Sequence, residues 1–152
     1  MSAVLPPVEQ RIVVQLAPAD AFELFTRGLA RWWPFKGHSC SDEAEDVLFD
    51  GRVGGAVTEV GKDGSRHAWG TLTAWDPPAA FAMTWHPGQG AERATQLSMR
   101  FTAVAGGCEV HLLHGGWDVL GADGDAMRGN YDKGWGWVLE HYVAQAAKEG
   151  AR

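Results

Sequence analysis

The sequence is poor in several features that mark specialised chains. Its two cysteines, Cys40 and Cys108, are too few and too far apart for a disulfide scaffold or a zinc knuckle. Both are expected as reduced thiols, with Cys108 inside a strand. Nowhere do about 18 apolar residues follow one another, and the start, MSAVLPPVEQRIVV, lacks the basic stretch and apolar run of a secretory leader. A cytoplasmic chain without a membrane span is the expectation. Basic runs are missing too: 13 Lys and Arg face 19 Asp and Glu, a net charge of −6. Phosphate backbones and anionic membranes recruit clustered Lys and Arg, so neither is an expected partner. There is no GxSxG elbow, P-loop or dinucleotide fingerprint, and therefore no cofactor is implied.

What is present is ordinary in amount and unusual in kind. A chain of 152 residues, 45% hydrophobic and 21% charged, has the size and balance of one globular domain. Residues 1–9, which carry Pro6-Pro7, are expected as a loose arm, and residues 10–152 as a single domain. Eight tryptophans stand out. Each supplies a large apolar area and one N–H donor, so the surplus points to an aromatic core, a pocket or an interface.

The first periodic segment, QRIVVQL from Gln10 to Leu16, is β-branched and stopped by Pro18, which reads as a strand. Pro18 suits a first helical turn, Asp20 sits near the positive end of the dipole, and Phe22, Phe25 and Leu29 recur at helical spacing. Gly28 to Trp33 reads as a second short helix closed by Pro34. From Asp46 the period shifts toward 2: strands are expected at 47–49, 56–60, 67–75, 81–85, 95–104 and 108–114, in an antiparallel meander.

In the last two strands Leu97, Met99, Phe101 and Ala103 alternate with Gln96, Ser98, Arg100 and Thr102, and the first set is expected to face inward. A hairpin closed at Gly106-Gly107 pairs Ala105 with Cys108, Phe101 with Leu112 and Met99 with His114. It puts Val110, Leu112 and His114 on the inner face, and Glu109 and His111 on the outer. The hairpin at 76–79 admits two registers. A four-residue loop pairs Trp75 with Ala80 and Leu72 with Met83, leaving Trp69 and Trp75 on the outer face; a five-residue loop pairs Trp75 with Phe81 and turns both indoles inward. The four-residue loop is preferred here, and two outward indoles would favour a twofold homodimer.

A long helix is expected from Asp125 to Lys148, with Tyr131, Trp135, Val138, Leu139 and Tyr142 on one face. Gly129, Gly134 and Gly136 each cost it roughly 1 kcal/mol relative to Ala. They mark either a bend or close approach, or mere tolerance.

This order of strand, short helices, six-stranded meander and long final helix is that of the α+β helix-grip fold. The segments AFELFTRGLARWWP (21–34), GTLTAWDPPAAFAMTW (70–85), HLLHGGW (111–117) and GNYDKGWGWVLEHY (129–142) resemble the SRPBCC (START/Bet v 1-like) superfamily. Within it they resemble the AHSA1-like domains, named for the homologue of the Hsp90 ATPase activator. The resemblance covers roughly Gln10 to Ala147. It implies a hydrophobic cavity between sheet and helix that takes lipids, aromatic polyketides or other apolar molecules, with cyclase or hydrolase chemistry in some branches. It also brings a co-chaperone role and a stress-response setting, although the separate N-terminal domain that contributes to Hsp90 activation has no counterpart expected in 152 residues.

The expected function is binding of a small apolar or aromatic molecule, lined by Trp33, Met83, Trp85, Leu97, Met99, Phe101, Leu112, His114, Trp117 and Trp135. Catalysis ranks second, because His114 is the one ionisable residue the register sends inward. It could serve as acid or base, or be a neutral core histidine bonded to a neighbour. A co-chaperone-like interaction module ranks third. No metal site is expected: His111 and His114 point to opposite faces of one strand, and Glu109 with His111 lacks a third ligand.

Overall fold

The computed structural model describes residues 5–35 and 44–150; Cys40 lies outside them. Seven antiparallel strands form one sheet in the order β1-β7-β6-β5-β4-β3-β2, with β1 (Val8–Val14) and β2 (Ala44–Phe49) at its edges. Between them run β3 (Ala56–Gly61), β4 (Arg66–Asp76), β5 (Ala80–Trp85), β6 (Thr95–Val104) and β7 (Gly107–Gly115). Helix α1 (Pro18–Phe25) follows β1, and a 3-10 turn over Leu29–Arg31 leads to the paired tryptophans. Helix α2 (Gly124–Gly150) closes the chain, entered through a 3-10 run at Trp117–Asp123. The sheet wraps α2 in the helix-grip manner, as the sequence pattern implied.

Local chemistry explains the element ends. Ala17 is extended and Pro18 opens α1, where its missing N–H costs nothing. Along α2, Trp135, Val138, Leu139, Tyr142 and Ala146 recur at three- and four-residue steps and are buried. A Cβ added at Gly129, Gly134 or Gly136 would meet nothing within 4 Å, so these glycines serve no close approach.

Three expectations are corrected. The first strand begins at Val8, and Leu5 packs on the core. Arg128 on α2 donates to the Pro6 and Pro7 carbonyls at 2.6 and 3.3 Å, so residues 5–9 are held to the domain rather than loose.

The β6–β7 hairpin turns at Ala105-Gly106, pairing Val104 with Gly107 and Met99 with Leu112, with Leu97 opposite His114. Gly107 opens β7 against β1, where an added Cβ would lie 2.0 Å from the Val14 carbonyl oxygen, so the close approach requires glycine. The shift is two residues, so every side chain keeps its face. Leu97, Met99, Phe101, Val110, Leu112 and His114 are buried, whereas Gln96, Ser98, Arg100, Glu109 and His111 are not; Ala103, beyond the core's edge, is exposed.

The third correction concerns β4. Trp75 pairs with Phe81, as in the five-residue loop, while Leu72 pairs with Met83, as in the four-residue one. A bulge at Thr73 reconciles the two. A second bulge, where Val57 pairs with Gly70 but Thr58 with Ala68, turns Trp69 inward. Bulges add a residue and reset the alternation, so Trp69, Leu72 and Trp75 all turn to the inside: Trp69 and Leu72 are buried and Trp75 is half-buried against the core. The outer face therefore carries no indole pair, and the argument for a homodimer built on it falls.

Candidate ligand-binding site

The concave face divides into two aromatic regions. Phe22 and Phe25 from α1 meet Phe81 on β5 and Phe101 on β6, and Phe49 on β2 meets Phe81, with centroids 5.2–6.4 Å apart; Trp75 lies 5.1 Å from Phe22. Polar atoms there are satisfied by the main chain of α1: Trp32 Nε1 donates to the Leu24 carbonyl at 2.9 Å, and Tyr142 Oη to that of Ala21 at 2.8 Å. Burial pushes the Tyr142 hydroxyl pKa far up, so it stays protonated.

The second region is built of indoles. Trp33, Trp69 and Trp85 lie within 5.0–6.3 Å of one another, and Trp135 on α2 sits 5.2 Å from Trp85 and 6.0 Å from Trp33. Trp117 stacks obliquely on His114 at 4.4 Å, with Tyr131 at 4.8 Å from the imidazole. Here the polar atoms satisfy one another through side chains. Trp69 Nε1 donates to Glu59 Oε1 at 3.1 Å, and Trp85 Nε1 to the Tyr131 hydroxyl at 3.1 Å.

His114 is at the centre and fully buried. Because Trp135 Nε1 donates to its Nδ1 at 2.9 Å, that nitrogen is the acceptor and the ring proton sits on Nε2. Nε2–H then donates to Thr95 Oγ1 at 2.6 Å, and the Thr95 hydroxyl donates onward to the Trp85 carbonyl. Burial lowers the His114 pKa to about 3, so the imidazole is neutral at physiological pH. Both its nitrogens are engaged and it holds no proton to give near neutrality.

Trp117 Nε1 is the exception to this satisfaction. It is buried and has no hydrogen-bond partner among the described residues. An enclosed donor left unpaired costs about 1–3 kcal/mol.

Of the ten expected lining residues, Trp33, Trp85, His114, Trp117 and Trp135 gather in the indole region. Phe101 belongs to the phenylalanine region, and Met83, Leu97, Met99 and Leu112 form the buried floor on β5, β6 and β7. Sequence reasoning missed Glu59, Trp69 and Thr95. Glu59 is fully buried in step with Val57 and Gly61 on β3, and that alternation was its only signal. Two grooves of about 320 and 280 Å³ lie elsewhere, one beside Phe22, Arg27 and Trp75, the other beside Ile12, Gly136 and Leu139; neither includes an expected lining residue. Among the described residues there is no cluster able to hold a metal ion, and no helix long and apolar enough to cross a membrane.

A curved sheet gripping a long helix over an aromatic interior defines a helix-grip protein of the Bet v 1-like class. The chain belongs to the Activator of Hsp90 ATPase homolog 1-like family, whose pattern it matches over residues 15–144. An anthrahydroquino-γ-pyrone synthase, Txn09, solved as a complex, is 29% identical, with 87% of this chain and 90% of that one aligned and a TM-score of 0.58. The self-sacrificing resistance protein CalC from Micromonospora echinospora is 24% identical over 97% of both chains at a TM-score of 0.70. The Aha1 dimer from Colwellia psychrerythraea is 16% identical over 91% of this chain and 94% of that one, at 0.66. The last two share the fold. No curated protein matches the chain.

Proposed function

We propose that this protein binds a small, flat, apolar or aromatic molecule between the concave face of the sheet and α2, against Trp33, Trp69, Trp85, Trp117 and Trp135. The observation that carries this reading is the convergence of five indoles with a neutral imidazole. Indole faces stack on flat ligands, and a small number of fixed polar groups among them supplies orientation. Native mass spectrometry of freshly purified protein tests it: a retained small molecule, lost on mild denaturation, is the expected result. Apoprotein that also takes up no flat aromatic probe in an NMR titration would sink the reading.

Catalysis is the second reading, favoured by the 29% identity to a synthase. On this reading His114 is a poor acid–base candidate, being neutral and doubly bonded. The buried carboxylate of Glu59 beside Trp69 is the better one. Turnover surviving in His114→Gln but lost in Glu59→Gln would support that assignment. A co-chaperone-like role rests on the family name alone, and absence of Hsp90-type chaperones from a pull-down would dismiss it. We further propose a cytoplasmic location for the protein.

A further inference from the structure

We infer that the ligand carries an aromatic carbonyl oxygen and that Trp117 Nε1–H is the donor that seats it; this deepens the binding reading above and rests on it. Trp117 is built firmly into place. Gly116, at φ +78°, makes the left-handed turn out of β7, and a Cβ at Gly124 would lie 2.7 Å from the Trp117 carbonyl oxygen. The indole is fully buried and its N–H finds no acceptor among the described residues.

The neighbouring acceptors are engaged elsewhere: the Tyr131 hydroxyl accepts from Trp85. His114 Nδ1 is taken by Trp135, and its Nε2 is a donor held by Thr95. Nor is the surrounding suited to a water, which requires two to four polar partners: the rings nearest Trp117 are His114 at 4.4 Å and Tyr131 at 5.5 Å, and the indole N–H groups of Trp85 and Trp135 already donate elsewhere. An oxygen fixed on an aromatic ring needs a single donor, and its ring packs on the same indoles. A hydrocarbon would leave the N–H orphaned; a carbonyl satisfies it.

The test compares menadione with 2-methylnaphthalene, which share a skeleton and differ in the two carbonyls, by NMR titration of ¹⁵N-labelled wild type and Trp117→Phe. Wild type is expected to bind menadione roughly five- to tenfold more tightly, the worth of one hydrogen bond, and the Trp117 indole resonance, identified by its loss in the variant, moves downfield. In Trp117→Phe the preference falls to about onefold while the hydrocarbon still binds. Equal binding of both probes by wild type overturns the inference and leaves the binding reading standing, as does an unchanged preference in the variant. An indole resonance that does not move on menadione binding marks a buried water on Trp117 and overturns it too. If neither probe binds wild type, the binding reading itself fails.

Discussion

The phenylalanine and indole regions share one concave face and differ in how their polar atoms are satisfied. Around Phe22, Phe25, Phe81 and Phe101 the buried donors Trp32, Tyr142 and Thr26 spend their hydrogens on main-chain carbonyls of α1. Around His114 the partners are mainly other side chains, Trp135, Thr95, Glu59 and Tyr131, with Thr95 passing its own hydrogen to the Trp85 carbonyl. Trp32 and Trp33, adjacent in sequence, stand on opposite sides of this division, Trp32 against Phe25 and Trp33 against Trp69. A region closed on the backbone is a packing core. One closed on side chains is a network whose geometry depends on every member, and such a network suits recognition better than bulk stability.

The largest effect that would break the comparison lies in the first region. Phe81→Ala, which removes a ring touching Phe22, Phe25, Phe49 and Phe101, is expected to cost about 3–5 kcal/mol in urea unfolding. Affinity for a flat probe, measured in the surviving folded fraction, should hardly change. Loss of affinity out of proportion to the unfolding would mean that the two regions are one site.

Next comes pH. His114 titrates near 3 in the fold against an ordinary 6.5, so between those values the unfolded chain binds the extra proton. Stability is therefore complete above pH 6.5 and falls as pH drops toward 3, by up to about 1.4 kcal/mol per unit from this group. Since carboxylates also titrate there, the comparison is with His114→Gln, whose unfolding free energy should depend less steeply on pH through that window. Identical slopes would show that His114 is protonated in the native state.

Trp135→Phe keeps one aromatic ring but loses the pyrrole ring and strips His114 Nδ1 of its donor. A cost of about 1–3 kcal/mol is expected, with the His114 ring resonances shifted in NMR. A silent variant would reduce the network to mere proximity.

The smallest effect lies outside both regions. Gly134→Ala on α2 enters open space and should stabilise the helix by about 1 kcal/mol, read as a rise in thermal midpoint with probe affinity unchanged. A change in affinity would make α2 part of the site through its backbone, which the division into two regions does not allow.

Much of this was legible along the chain. Strict alternation in Leu97, Met99 and Phe101, and in Val110, Leu112 and His114, determined which face each residue takes, because one face of a strand must meet the core. The three- and four-residue steps of Trp135, Val138, Leu139 and Tyr142 determined α2 and its inward side. Such patterns need only neighbours in sequence. Tertiary structure alone decided the rest. The two bulges of β4 that turn Trp69 and Trp75 inward are set in its pairing with β3 and β5, and the alternation along the strand does not show them. The turn at Ala105-Gly106 leaves Gly107 packed against β1, a contact that exists only in the folded chain. That His114 is neutral follows from its burial, and that its proton sits on Nε2 depends on Trp135 arriving from 21 residues away and Thr95 from 19. Periodicity says which way a side chain points, whereas the partner waiting there is set by elements that meet only when the chain folds.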